Sequence, residues 1–488
     1  MRLRARTLTS LGRRILLRAA GKHGFNLSRL PDRALMPLRR DGLDPVPELK
    51  SLREREPICR LRLPLGFNAW LVTGYAEAKA VLGKTEGIST EFTTLVDGIG
   101  LAQPNPGGLG LTDPPVHTRR RSLLTPEFTR RRLARLAPRI TSIVAEHLDL
   151  MERADEPVDL WRSFALPIPT LTICELLGVP YEDRADIQRL SQARFDLFEG
   201  PHASLGAISQ SMSAMLDVVN KQRTCPDDGL IGMLIKEHGD QIDDQELAGL
   251  ADGVLTGGID PPASTLALGA MILAQNPQHV RLIRDDHAAI GPFVEELLRY
   301  LSVAQVAFPR FATQDMRIGG VQVAAGDVML CSLSGANRDP ALGESVERFD
   351  PTRKPTSHLA FGHGIHRCIG AELARMQLRT ALPALISRFP HLRLAVEPGQ
   401  IPFLKASAVY GVDSLPVLLN QRQEHSTPDA AAAGEAAGGE QEQEHAEGGE
   451  EGGLQQGWRP PVRPGGPGED SWRPGSAVAR VWRIASTA

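Results

Sequence analysis

A mainly α fold with small β-sheets, built as one large domain, follows from three features of the sequence. Pro138–Arg153, Gln245–Gln275, Gly291–Leu301 and Ala371–Arg388 carry apolar residues three and four apart with polar residues between, the period of a helix with one buried face. Alternating runs are fewer and shorter: Ile58–Val72 and Met316–Met329 read as hairpins with glycine-containing turns. No strand–helix alternation repeats and no glycine-rich phosphate loop follows a strand, which argues against a nucleotide-binding parallel sheet.

The chain has 488 residues, 42% hydrophobic and 23% charged, enough apolar content for a large core. A formal net charge of −3 excludes a bulk nucleic-acid binder, and no run reaches the ~18 apolar residues of a membrane span. Composition divides the chain into three. Residues 1–31 form a basic extension with eight Lys or Arg before Leu30 and no acid. This could be a transit peptide or membrane-surface helix, but the simpler expectation is a poorly ordered, solvated arm. Residues 421–488 begin with an acidic Ala/Gly/Gln tract and continue into a Pro/Gly/Arg stretch. That composition buries too little apolar surface to offset chain entropy and is expected to be disordered. The folded domain is expected over 32–420. The five cysteines at 59, 174, 225, 331 and 368 show no disulfide spacing, so a reducing cytoplasm is the default.

The decisive residues are Phe361-Gly362-His363-Gly364-Ile365-His366-Arg367-Cys368-Ile369-Gly370, followed at once by a helix-forming run. A glycine-rich loop here delivers one cysteine to the start of a helix. The glycines permit backbone geometry that other residues resist, and let a flat ligand approach. A helix N-terminus and nearby cations favour a thiolate. Two other readings stand beside this one. A single cysteine is commonly a small buried hydrophobe, and His363, His366 and Cys368 could be zinc ligands, although their spacing is not that of a zinc site.

The spacing Phe-x-x-Gly-x-x-x-Cys-x-Gly resembles the haem-binding signature of the cytochrome P-450 family. Three further stretches resemble that family in the same order. Glu296-Leu297-Leu298-Arg299 is similar to its Glu-x-x-Arg motif, with the pair on one helix face. Asn337-Arg338-Asp339 and Glu347-Arg348-Phe349-Asp350 look like the segment before the cysteine loop. Asp113-Pro114-Pro115-Val116-His117-Thr118-Arg119-Arg120-Arg121 resembles the helix that grips the haem propionates. The resemblance covers about Asp32 to Asn420 and implies the soluble, bacterial type.

It further implies haem b with Cys368 as axial iron ligand. Phe361, Gly364 and Gly370 would shape the loop, and His117, Arg121, Arg310 and His366 would hold the propionates. Glu296, Arg299 and Arg348 would form a buried structural triad. The implied reaction is monooxygenation of a lipophilic small organic substrate, a secondary metabolite, by a monomer in the cytoplasm. Electrons would come from NAD(P)H through a separate ferredoxin and ferredoxin reductase. The arginines at 119–121, 130–132, 135 and 139 could attract the acidic redox partner. Ser89–Gly110, Phe195–Phe198 and Val303–Val306 would line the pocket.

One motif departs from the family. In Gly257-Gly258-Ile259-Asp260-Pro261-Pro262-Ala263-Ser264 the acid is present, but Pro261 stands where the alcohol is usual. Proline cannot donate a proton, and tandem prolines should kink a helix. Asp260 and Ser264 are therefore the candidate catalytic residues for proton delivery. Two other functions stay open on this ground: a haem-thiolate enzyme of another reaction type, peroxide-driven or coupling, and a non-catalytic haem-thiolate binding module.

Overall fold

The computed structural model describes residues 35–62, 68–91, 108–180, 183–184, 201–405 and 407–419. The chain divides into two units, Met1–Gln423 and Glu424–Ala488, and every described residue belongs to the first. The basic extension and the C-terminal tail lie outside the described residues.

The described helices of nine residues or more are α1 (Pro47–Arg55), α2 (Tyr75–Gly83), α3 (Val116–Leu124), α4 (Ala137–Glu152), α5 (Pro167–Leu177) and α6 (Pro201–Thr224). They continue with α7 (Leu230–His238), α8 (Asp244–Gln275), α9 (Pro277–Asp285), α10 (Ile290–Leu301) and α11 (Ala371–Arg388). All four helices expected from apolar spacing are present within a residue of their expected ends. Their starts follow local chemistry. The Asp243 side chain accepts from Glu246 N–H at 2.8 Å to cap α8, and Asp244 and Glu246 complement the dipole in its first turn. Pro277 opens α9, where a missing amide costs nothing.

The described residues also form twelve short strands: β1 (Arg40–Asp41), β2 (Asp44–Pro45), β3 (Ile58–Arg62), β4 (Asn68–Val72), β5 (Ile88–Ser89) and β6 (Val158–Asp159) precede β7 (Arg310–Ala312), β8 (Met316–Ile318), β9 (Val321–Val323), β10 (Val328–Cys331), β11 (Arg393–Leu394) and β12 (Pro416–Leu418). The larger sheet has the order β3-β4-β10-β7-β5, and the other sheets are β11-β12-β6, β8-β9 and β1-β2. The expected Ile58–Val72 hairpin is β3 against β4, pairing Ile58 with Val72. The second hairpin is shorter than expected. It closes at Gly319-Gly320, both with positive φ, and ends at Val323. Val328 onward instead runs parallel to β4, because Asp327 accepts from Trp70 Nε1 at 2.8 Å and pins the strand in the larger sheet.

The main core joins α4, α5, α8, α10 and α11 through Ile143, Ile173, Leu266, Leu297 and Leu382, all buried. Helix α8 runs through its centre. Gly258 lets α5 approach, since a Cβ there would lie 2.3 Å from the Ile173 methyl. The tandem prolines do not end α8: its helical pattern is continuous from Asp244 to Gln275. Ile259, Pro262, Ala263 and Leu266 are buried, and this packing holds the helix where local propensity opposes it.

Candidate active site

The cysteine loop lies against α2 and leads into α11. Gly362 and Gly364 have φ of 68° and 74°, and a Cβ on Gly364 would stand 2.3 Å from the Leu82 carbonyl oxygen. Only glycine meets both conditions. Cys368 N–H donates to the Phe361 carbonyl at 2.9 Å, and Arg367 N–H to Gly364 at 3.1 Å. Leu359 N–H donates to Asn337 Oδ1 at 2.7 Å, and Asn337 Nδ2 donates to Ser302 Oγ at 2.7 Å. Asn337 thereby ties the loop to the end of α10.

Cys368 is an exposed residue, yet protein surrounds its thiol closely enough that desolvation pushes its pKa up. The Gly370 N–H and the cations Arg367, Arg121 and Arg375 oppose that rise. The buried cysteines contrast with it: burial pushes Cys174 and Cys331 up to about 12, and these are packing residues. Cys59 is also buried, and Cys225 is exposed. The zinc reading is not assembled: among the described residues no three His, Cys, Asp or Glu are grouped to hold a metal ion.

The four expected propionate partners come together. The His117 and His366 rings lie 4.3 Å apart. His117 on α3 is buried, and its Nε2 has no hydrogen-bond partner among the described residues. His366 Nδ1 faces the Leu109 carbonyl at 3.2 Å, and Arg310 donates to the Phe308 carbonyl at 2.7 Å. Burial, with Arg310 and His117 beside it, pushes His366 down to about 4. Burial likewise lowers Arg310 and Arg121. Arg121 and Arg310 depress His117, Arg310 and His117 depress His366, and Asp113 is the carboxylate coupled to them, so this donor cluster suits an anionic ligand. The carboxylates of haem fit that set, and the exposed Cys368 fits its iron.

The triad needs one correction. Arg299 binds Glu296 through two contacts of 2.8 Å and also reaches the carbonyls of Asn337 and Val346, at 2.7 and 2.9 Å. The second arginine on Glu296, and so the third member of the triad, is Arg353, whose Nε lies 3.4 Å from Oε1 and whose side chain is 9% exposed. Arg348 is exposed and contributes only its backbone carbonyl, to Arg299 at 3.2 Å. The turn after Phe349, closed by Arg353 N–H to the Asp350 carbonyl at 3.1 Å, carries Arg353 back toward α10.

Asp260 and Ser264 sit one turn apart on α8 and both are buried. Ser264 packs on the C-terminal segment, where a Cβ on Gly411 would come within 2.5 Å of its Oγ. Around Gly257, by contrast, a Cβ would meet nothing within 4 Å. The basic stretch is largely neutralised at home. Arg119 and Arg120 pair with Glu246, Arg132 and Arg135 with Glu127, Arg139 with Glu146 and Glu175, and Arg130 with Glu372. Of the pocket segments, 92–107 and Phe195–Phe198 lie outside the described residues. Val303–Val306 is held by bridges from Ala304 to Val409 and from Val306 to Ser332.

Fold and site together define a haem-thiolate protein. The family model for cytochrome P450 matches residues 186–405. Cytochrome P450 165B3 of Amycolatopsis orientalis is 38% identical over 391 residues, covering 78% of this chain and 97% of that one. A mycinamicin IV hydroxylase/epoxidase of Micromonospora griseorubida is 36% identical over 381 residues, covering 77% and 96%. Among solved structures, OxyE (CYP165D3), a cytochrome P450 involved in teicoplanin biosynthesis, aligns with a TM-score of 0.72 at 39% identity, covering 78% and 99%. The chain belongs to the cytochrome P450 family, and its cofactor is haem. Its class of activity is that of a P450 monooxygenase. Among the described residues no helix is long and apolar enough to cross a membrane.

Proposed function

We propose that this monooxygenase inserts one oxygen atom of O2 into a lipophilic small molecule, tailoring a secondary metabolite in the cytoplasm. The observation that carries the reading is the exposed Cys368 beside four converging donors, one of which, His117, has an orphaned buried nitrogen. The likeness to relatives that serve antibiotic biosynthesis supports the substrate class. Haem, when bound, supplies the activation of dioxygen.

The chain's own residues supply the rest. His117, Arg121, Arg310 and His366 would hold the carboxylates of the haem. Gly370 N–H and the nearby cations favour the thiolate form of Cys368 against the burial that opposes it. Asp260 exchanges a proton with the oxygen side of the site, a task Pro261 cannot share. Electrons come from NAD(P)H through a ferredoxin and its reductase, docking where Arg131 and Arg367 are exposed and, among the described residues, have no ion pair. The test is product formed per NADPH consumed, with a reconstituted ferredoxin chain and a panel of lipophilic compounds. Pro261 favours a second reading, haem-thiolate chemistry of the coupling or peroxide-driven kind. Turnover with peroxide but not with the electron chain would select it.

A further inference from the structure

An enclosed cation beside the cysteine loop is Arg375, on α11. Its Cζ lies 4.7 Å from the centroid of the Phe361 ring, well inside the ~6 Å reach of a cation–π contact. Phe361 is in turn joined to the cysteine, because its carbonyl accepts the Cys368 N–H at 2.9 Å. Arg375 follows Cys368 by seven residues and lies in the second turn of α11.

The guanidinium is held rather than loose. Its Nε and one terminal nitrogen donate to the two oxygens of Glu295 at 2.6 and 2.8 Å, and the other donates to Glu372 at 3.1 Å. Its side chain is 11% exposed, so solvent screens its charge poorly. Glu295 is itself fixed from a second direction. Ala360 N–H donates to His358 Nδ1 at 3.2 Å, which leaves the proton on Nε2, 3.3 Å from Glu295 Oε2. His358 also lies against Phe361, with ring centroids 6.1 Å apart. Glu295, Arg375, His358 and Phe361 thus form one closed network behind the cysteine.

We propose that Arg375, clamped by Glu295 over the Phe361 ring, withdraws electron density from the Cys368 thiolate and thereby raises the reduction potential of the bound haem. The proposal rests on the haem-thiolate assignment. Reduction adds one electron to the iron–thiolate unit, and an enclosed positive charge beside that unit favours the reduced state. Arg375 is a positioning and electrostatic residue; it does not touch substrate.

The experiment is a mediated redox titration of the purified haem-loaded protein, without any protein redox partner, so that docking plays no part. Arg375→Gln is expected to move the midpoint to more negative potential. A tenfold fall in the ferrous-to-ferric ratio at the parent's midpoint corresponds to about 59 mV for one electron. Glu295→Gln removes one of the two carboxylates paired with the cation and is expected to move the midpoint the opposite way. Arg375→Lys, which keeps the charge but loses the fork, should fall between parent and Arg375→Gln. A merely structural role would shift Arg375→Gln and Glu295→Gln in the same direction, and that result overturns the proposal, as does a midpoint unchanged in Arg375→Gln. If Arg375→Gln fails to retain haem, the opposite shifts required of Arg375→Lys and Glu295→Gln decide the matter. The reduced carbon-monoxide complex is recorded throughout. Absence of the red-shifted Soret band in the parent would overturn the haem-thiolate assignment, a failure distinct from an unchanged potential.

Discussion

Replacing Arg353 by alanine tests the corrected triad, with Arg348→Ala as its matched control. In the folded protein the Arg353 guanidinium faces Glu296 at 3.4 Å and donates to the Ser345 carbonyl at 2.8 Å, with 9% of its side chain exposed. Removing it strips a buried carboxylate of one of two cationic partners. It also removes a donor from the Glu344 and Ser345 carbonyls, which lie in an exposed turn where Arg348 N–H still donates to Ser345 at 3.0 Å. Loss of one partner from a buried pair costs about 3–5 kcal/mol when nothing else remains. Here Arg299 keeps both of its 2.8 Å contacts with Glu296, so that range is an upper bound. A net loss of about 2–3 kcal/mol is expected for taking one of the two cations from the buried carboxylate. Arg348→Ala removes an exposed side chain and keeps the carbonyl that Arg299 uses, so its effect should stay within about 0.5 kcal/mol. The assay is urea denaturation followed together by far-ultraviolet circular dichroism and the haem Soret band. Equal destabilisation by the two substitutions, or a larger loss from Arg348→Ala, would refute the assignment of Arg353 to Glu296.

Three further outcomes are expected. Cys368→Ala should abolish the red-shifted Soret band of the reduced carbon-monoxide complex, whereas Cys225→Ala, at the other exposed thiol, should leave it intact. Asp260→Asn should slow dioxygen-dependent turnover several-fold and spare peroxide-supported turnover, which brings its own protons; tight coupling of NADPH to product in both parent and mutant would sink that role. Glu295 gives a pH dependence. Desolvation alone would raise it, but Arg375 and His358 outweigh burial and hold it at about 2 against an ordinary 4.5. Its stabilising contribution is therefore full above pH ~4.5 and lost as pH falls toward 2. That shift is worth up to about 3 kcal/mol, reduced by solvent screening at this partly exposed pair to ~1–2 kcal/mol. Glu295→Gln should flatten the acid limb of a stability–pH profile by that amount.

The helices were legible because each buries one face, so periodicity alone marks Ala371–Arg388 at both ends. The cysteine loop was legible for a different reason. Its glycines answer to backbone geometry within ten residues, and local constraints are written locally. The same holds for Pro261, whose missing hydroxyl is a matter of composition. What the sequence could not decide is which of two arginines, five residues apart, reaches Glu296. Both stand in the same turn-rich stretch, and the choice depends on how the turn after Phe349 folds back on α10. The fate of the basic stretch was hidden likewise: its partners Glu127, Glu246, Glu175 and Glu372 lie on several elements, and no count of arginines reveals that they are already paired. Nor could local propensity show that α8 continues through Pro261 and Pro262, with Ile259, Pro262, Ala263 and Leu266 buried in the core. Short-range geometry thus identified the ligand loop and its chemistry, while long-range pairing of charges, which only the tertiary structure brings within reach, chose the residues that support it.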